Sequence, residues 1–321
     1  MRPVWAAVLA LLVTALCLWV LLTPATLQAL SRAFLDAHLL PLIIAFVLVA
    51  LVQWVRAWRF SIMTTGVLAL PSWPFLRIAL QLNFMNFVLP FRLGELSYPV
   101  LMKHHFGHGL LHSAGVLMLA RLFDLAAVLT ILLGAAAVLG MGGGSVGNTA
   151  LLLGATACWL APFALLLGGQ VLRPRIMQLP HLGSAAAKLT AGLDALRDRG
   201  AAIVAVVLGW GIWLLLGGAA ILVAGAVTTA VSPAAAMLGS AAGSIAFALP
   251  VNGIAGIGPA QAAWVAVTTH IGVPWDDAVV SALALHAVVL VNAVVLGTLA
   301  SIPDLARRRR LGPGPVPAGR K

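Results

Sequence analysis

No Asp, Glu, Lys or Arg occurs between Leu125 and Leu172, and none between Gly200 and Trp275. A helix crosses the hydrocarbon core in about 20 residues, so each stretch is long enough for more than one crossing. A surface facing water cannot be assembled from such segments. The rest of the chain agrees. Of 321 residues, 62% are hydrophobic and only 8% are charged, against about 25% charged in a soluble domain. The fold class that follows is an all-α polytopic membrane protein.

Six runs read as full transmembrane crossings: Val4–Leu22, Pro41–Trp58, Leu111–Gly140, Thr149–Gly169, Ala201–Ala224 and Ala278–Ser301. The first lacks a small-residue cleavage site before "TPATLQAL" and reads as a retained helix rather than a signal peptide. Cys17 and Cys158 lie in apolar runs and read as small buried hydrophobes. The net charge of +11 does not call for nucleic acid. Its basic residues cluster at Arg173–Gly200 and Arg307–Arg310, beside crossings, as the positive-inside rule demands. Those segments, and the stretch with Arg56, Arg59 and Arg77, are expected on the cytoplasmic side together with both termini. Residues 304–321 read as a basic, Pro/Gly-rich tail after a single transmembrane domain, 1–303.

Two stretches do not suit a full crossing. Pro74–Phe106 is broken at "LPFRLGE", and Ser232–Ile271 at "LPVNGIAGIGPAQ". Each is a short apolar helix, a Pro/Gly break and another short helix, the pattern of a re-entrant hairpin. The breaks are assigned to Pro90 and Gly94 in the first, and to Pro250, Gly253, Gly256 and Gly258 in the second. Crossing, broken hairpin, crossing occurs twice, at about 41–140 and about 201–301, and the two copies start on opposite sides. That is an inverted repeat with two discontinuous elements, which in transporters encloses a site near the midplane. Ordinary loops at the membrane surface are the alternative.

A charge at the centre of a membrane helix costs about 2.5–3.5 kcal/mol on the insertion scale, so it is a candidate for function. Arg92 and Glu95 ride on the first break. Arg121 and Asp124, three apart, share a face of the neighbouring crossing. These four carry the candidate binding site, with Asn86, Asn252, Gln261 and His286 as uncharged or switchable partners. The same four charges would also suffice to lock the bundle by neutralising one another. His104, His108 and His112 recur every four residues, but without a nearby carboxylate they are expected to bind no metal. No cofactor is expected.

At these residues the chain resembles the lysylphosphatidylglycerol synthase transmembrane-domain family, also called flippase-like. The family pattern "N…LPxRxGE", "ERxxD", "GGxGxxE" stands here as "NFVLPFRLGE", "ARLFD" and "GIGPAQ". Two family carboxylates are replaced, by Ala120 and Gln261. The resemblance implies an inner-membrane protein that moves or holds lipids or lipid-linked headgroups. A less acidic cavity suits a phosphate better than a cationic lysyl group. A translocase, not an enzyme, is the leading expectation. The implied partners are a membrane lipid substrate, the bilayer and lipid-synthesis enzymes, with no nucleic acid. An accessory protein of lipid, glycolipid or hopanoid synthesis, or a membrane-embedded lipid-modifying enzyme, are the alternatives.

Overall fold

The computed structural model describes residues 3–89, 94–177, 191–194, 196, 198–249 and 252–311. Every regular element among them is helical. In chain order these are α1 (Pro3–Leu21), α2 (Pro24–Asp36), α3 (Leu39–Thr65), α4 (Trp73–Val88), α5 (Ser97–Phe106), α6 (Leu110–Val138) and α7 (Ser145–Met177). There follow α8 (Arg199–Val227), α9 (Pro233–Ala248), a 3-10 turn at Ile254–Gly256, α10 (Pro259–His270) and α11 (Trp275–Leu311).

Local chemistry sets these boundaries. Proline opens α2, α4, α9 and α10, where its missing N–H is no loss. The Thr23, Asp198 and Ser232 side chains accept from the first free N–H groups of α2, α8 and α9. Gly66 and Gly107 close α3 and α5 in the left-handed conformation.

Five helices are long and apolar enough to cross a membrane: α3, α6, α7, α8 and α11. The sixth expected crossing, Val4–Leu22, coincides with α1, Pro3–Leu21. Its part Ala10–Leu21 passes the same test together with α2, from which it is bent by 87°. The bend follows from Thr23-Pro24, where one helix stops and the capped start of the next begins. Two boundaries differ from expectation. Helix α3 continues past Trp58 to Thr65, so Arg59 lies within it rather than beyond its end. Helix α11 continues past residue 303 to Leu311 and takes in the basic run, which was expected in an irregular tail. Residues 312–321 lie outside the described residues.

The two halves share one plan. Helices α3, α4, α5 and α6 in the first correspond to α8, α9, α10 and α11 in the second. The half-helices α4 and α9 have 16 residues each. The His38 N–H donates to the Ala226 carbonyl at 3.2 Å, which places the start of α3 at the end of α8. The far ends, Leu68 and Gly200, also lie side by side. Helices α3 and α8 are therefore antiparallel, and the halves run in opposite senses. The half-helices are exchanged between halves: α4 packs on α11, and α9 on α6.

At 1.5 Å per residue, α4 and α9 each reach about 24 Å, most of the way through a core about 30 Å thick. Their tips meet inside the bundle, where the Phe87 and Phe247 rings lie 5.5 Å apart. One end of the bundle gathers Thr26, Thr228, Asp276 and Asp277, joined by the Thr26–Asp276 and Thr228–Asp277 hydrogen bonds, both 2.6 Å. The opposite end holds Arg77, whose Nε donates to the Ala300 carbonyl at 2.9 Å. The acidic "PWDD" turn is thus separated from Arg77 by the length of α11.

Candidate functional site

The tips of the two half-helices leave a cavity of about 480 Å³ between the halves. Glu95, Arg121, Asp124, Asn86, Gln261 and His286, six of the candidate residues, line it. Pro90, Arg92 and Pro250 lie outside the described residues. Asn252 does not line the cavity. Its amide instead donates to the Phe247 and Leu249 carbonyls at 2.8 and 3.1 Å, capping the C-terminus of α9. Asn252 is therefore corrected from a headgroup ligand to a helix cap, because those carbonyls lack intrahelical donors.

The centre of the site is Asp124. Arg59 binds it through both guanidinium nitrogens, Nη1 to Oδ1 at 2.6 Å and Nη2 to Oδ2 at 3.1 Å. Arg121 Nη1 adds a bond to Oδ2 at 2.9 Å, and the indole of Trp213 one to Oδ1 at 3.1 Å. The carboxylate is thus held by four donors in a fixed fork, the strong geometry for an Arg–carboxylate pair. Arg121 also bridges to Glu95, Nη2 to Oε1 at 3.1 Å. Arg59 is fully buried, while Arg121 and Glu95 keep 29% and 23% of their side chains exposed, within the cavity. Of the four residues expected to meet, Glu95, Arg121 and Asp124 do so, and the deepest cation among the described residues is Arg59, which was not expected there.

Arg59 was legible in outline. Val52, Val55, Arg59 and Ile62 fall on one buried stripe of α3, so an arginine occupies a core position there. Gly209 on α8 makes the room: a Cβ there would stand 3.1 Å from Arg59 Nη1. Arg56 and Gln53, bonded to each other at 3.1 Å, extend the polar wall from α3 into the cavity. Trp213 and Arg56 carried no comparable signal, since their role depends on how α3 and α8 are rotated.

The glycines divide by mechanism. Gly94 allows close approach: a Cβ there would lie 2.5 Å from the Asn86 backbone nitrogen. Gly94 thus lies against the last turn of α4. Gly256 and Gly258 have φ of 77° and 142°, a region that only glycine enters at little cost. Gly253 has an ordinary φ, but a Cβ there would run into Thr14 and the Ile257 carbonyl. Thr14 of α1 also accepts from the Ile254 N–H at 2.8 Å, so the first helix braces the second break.

The replaced family carboxylates have structural accounts. Ala120 is packed within the main apolar cluster with Phe60, Leu119 and Phe123. Gln261 Oε1 accepts from the Gly258 N–H at 2.7 Å, closing the start of α10 without a charge. That bond uses one of the donors that an anion at this helix start would need.

His108 and His112 stack at 5.6 Å, and His104 lies against His105. Partial burial, and secondarily His112, hold the His108 imidazole below its usual value. Among the described residues no three His, Cys, Asp or Glu side chains group as metal ligands.

No curated protein and no solved structure matches the chain. The family model described as "Lysylphosphatidylglycerol synthase TM region" matches residues 7–297. With the two broken hairpins and the buried charge cluster of the "LPFRLGE" and "ARLFD" segments in place, the chain belongs to the lysylphosphatidylglycerol synthase transmembrane-region family.

Proposed function

We propose that this protein is a translocase, not an enzyme, that moves a phospholipid or lipid-linked headgroup with anionic character across the inner membrane. The observation that carries the proposal is the cavity itself. It lies where two half-helices from opposite ends meet, and its lining combines an apolar wall with a charged one. Such sites between discontinuous helices suit alternating access. Three guanidiniums, Arg56, Arg59 and Arg121, stand against two carboxylates, Glu95 and Asp124. Among the described residues of the site the guanidiniums outnumber the carboxylates by one, which favours a phosphate over a cationic headgroup. Arginine suits phosphate through two parallel N–H···O bonds. In this reading the basic end of the bundle and both termini face the cytoplasm.

The test is reconstitution into liposomes with fluorescent anionic, zwitterionic and cationic lipids, reading bleaching by an impermeant reductant. Faster exchange of the anionic lipid than in protein-free vesicles is the expected result. Equal rates with and without protein would overturn the proposal. A second reading, an accessory protein of a lipid-synthesis complex, is favoured by the Arg59–Asp124–Arg121–Glu95 chain, which already neutralises its own charges. Absent exchange combined with co-purification of a lipid-synthesis enzyme would support it.

A further inference from the structure

Asp124 is held by Arg59, Arg121 and Trp213, and Glu95 by Arg121. A proton carrier must be free to change its charge, and both carboxylates are committed to guanidiniums. His286 is placed differently. It lines the cavity from α11, its ring lies 6.0 Å from Phe87, and Phe87 in turn touches Phe247. The imidazole is thus wedged where both half-helix tips meet. It faces the main chain of Ala255, the only non-glycine with positive φ among the described residues, at 54°. Its Nε2 is buried and has no hydrogen-bond partner among the described residues. A buried polar atom without a partner is rare and calls for an explanation.

Resting on the translocase reading above, we infer that His286 takes up a proton when an anionic headgroup enters the cavity, so that proton and lipid bind together.

The charge balance supplies the reason. Helix α11 packs against α2, α3, α4, α8 and α10. These bring Arg32 and Asp36, Arg56 and Arg59, Arg77, Arg199 and His270, and α11 itself carries Asp276, Asp277, Asp304 and Arg307–Arg310. Of these only Arg56 shares the cavity with His286, together with Glu95, Arg121 and Asp124 from the first half. Arg59 stands directly behind Asp124. Among the described residues the site carries one positive charge in excess, so an imidazolium is disfavoured while the cavity holds no anion. A phosphate that brings one negative charge offsets the excess and lets Nε2 gain its proton and donate to the ligand. By linkage, the proton must then raise the affinity for the anion by the same factor. A neutral imidazole titrates in the range where this matters, about pH 5 to 8.

The experiment measures binding of fluorescent phosphatidylglycerol to the full chain in phosphatidylcholine nanodiscs from about pH 5 to 8. The phosphodiester does not titrate there, so any pH dependence belongs to the protein. Wild-type affinity should fall as pH rises, approaching about tenfold per unit on the basic side of the imidazole titration. His286→Gln should bind at every pH with the weak affinity that wild type shows at high pH. Calorimetry of wild type in two buffers of different ionisation enthalpy should show net proton uptake on binding, and it needs no variant. Wild-type binding that does not change with pH, a pH dependence retained in His286→Gln, or binding without proton uptake would overturn the inference while leaving the translocase reading intact. No saturable binding at any pH would overturn both.

Discussion

The two breaks occupy matching places in the inverted repeat, yet they solve different problems. The first brings charge to the centre: Glu95 sits just past Gly94 and pairs with Arg121. The second carries no charge and is held by neutral hydrogen bonds, one of them from Ile254 to Thr14 of α1. Asn252 caps the helix before it, Gln261 caps the helix after it, and Gly253 and Ile257 close the turn between. Even the required glycines differ. Gly94 is needed for space, Gly256 and Gly258 for a left-handed backbone. One half supplies electrostatics and the other a rigid, neutral wall of small residues, Gly239, Ser240, Gly243 and Ser244. Symmetry of the fold therefore does not extend to the chemistry.

The hardest blow to that division falls on the charged half. Asp124→Ala leaves Arg59 buried without a counter-charge, and should destabilise the protein by about 3–5 kcal/mol. Arg59→Met with Asp124→Leu removes both charges and should recover most of that loss in thermal unfolding, while lipid exchange stays impaired. If Asp124→Ala unfolds like wild type, the cluster is not the structural centre described above.

Next come the breaks. Gly94→Leu places a side chain against the α4 backbone, and overpacking of this kind costs about 1–3 kcal/mol. Gly256→Leu meets both a positive φ and the Phe87 and Phe247 rings. Both should suppress exchange in liposomes. Gly94→Ala should already do so, whereas normal exchange in Gly94→Ala would mean the close approach is dispensable.

The neutral half should respond less. Gln261→Ala loses the cap on Gly258, worth about 1 kcal/mol. Gln261→Glu keeps an acceptor for that N–H and restores a carboxylate to the cavity wall. Its stability should stay near wild type, while exchange shifts from anionic toward cationic headgroups. An unchanged headgroup preference would show that the second half does not contribute to selectivity.

The smallest effect is expected at Glu95→Gln. The pair with Arg121 is partly exposed, so its loss should lower stability by under about 1 kcal/mol. Removing a negative charge should nevertheless favour anionic lipids further. Weaker anionic binding in this variant would reverse the role assigned to Glu95.

Much of this arrangement was readable from local pattern. Uncharged runs marked α6 to α9 as membrane segments, because no soluble surface can be built from them. "LPFRLGE" and "LPVNGIAGIGPAQ" marked the breaks, because Pro and Gly end helices whatever surrounds them. Arg121 and Asp124 announced themselves by charge and spacing. The 87° turn after α1 was also written locally, in the capped Thr23-Pro24 start of α2, though it was taken as the end of a crossing.

What the sequence by itself determined, then, is where the helices lie, where they break and which charges the membrane must tolerate, since backbone hydrogen bonding and hydropathy act over a turn or two of chain. Which charge meets which was decided only by the tertiary structure. Arg59 and Asp124 are 65 residues apart, and their fork forms because α3 and α6 meet where Gly209 of α8 leaves space for a guanidinium. Asn252 could equally have faced a ligand or capped a helix, and the direction in which α9 ends chose the cap. A side chain's partner depends on the rotation and register of whole helices, and those follow from the packing of every residue along them.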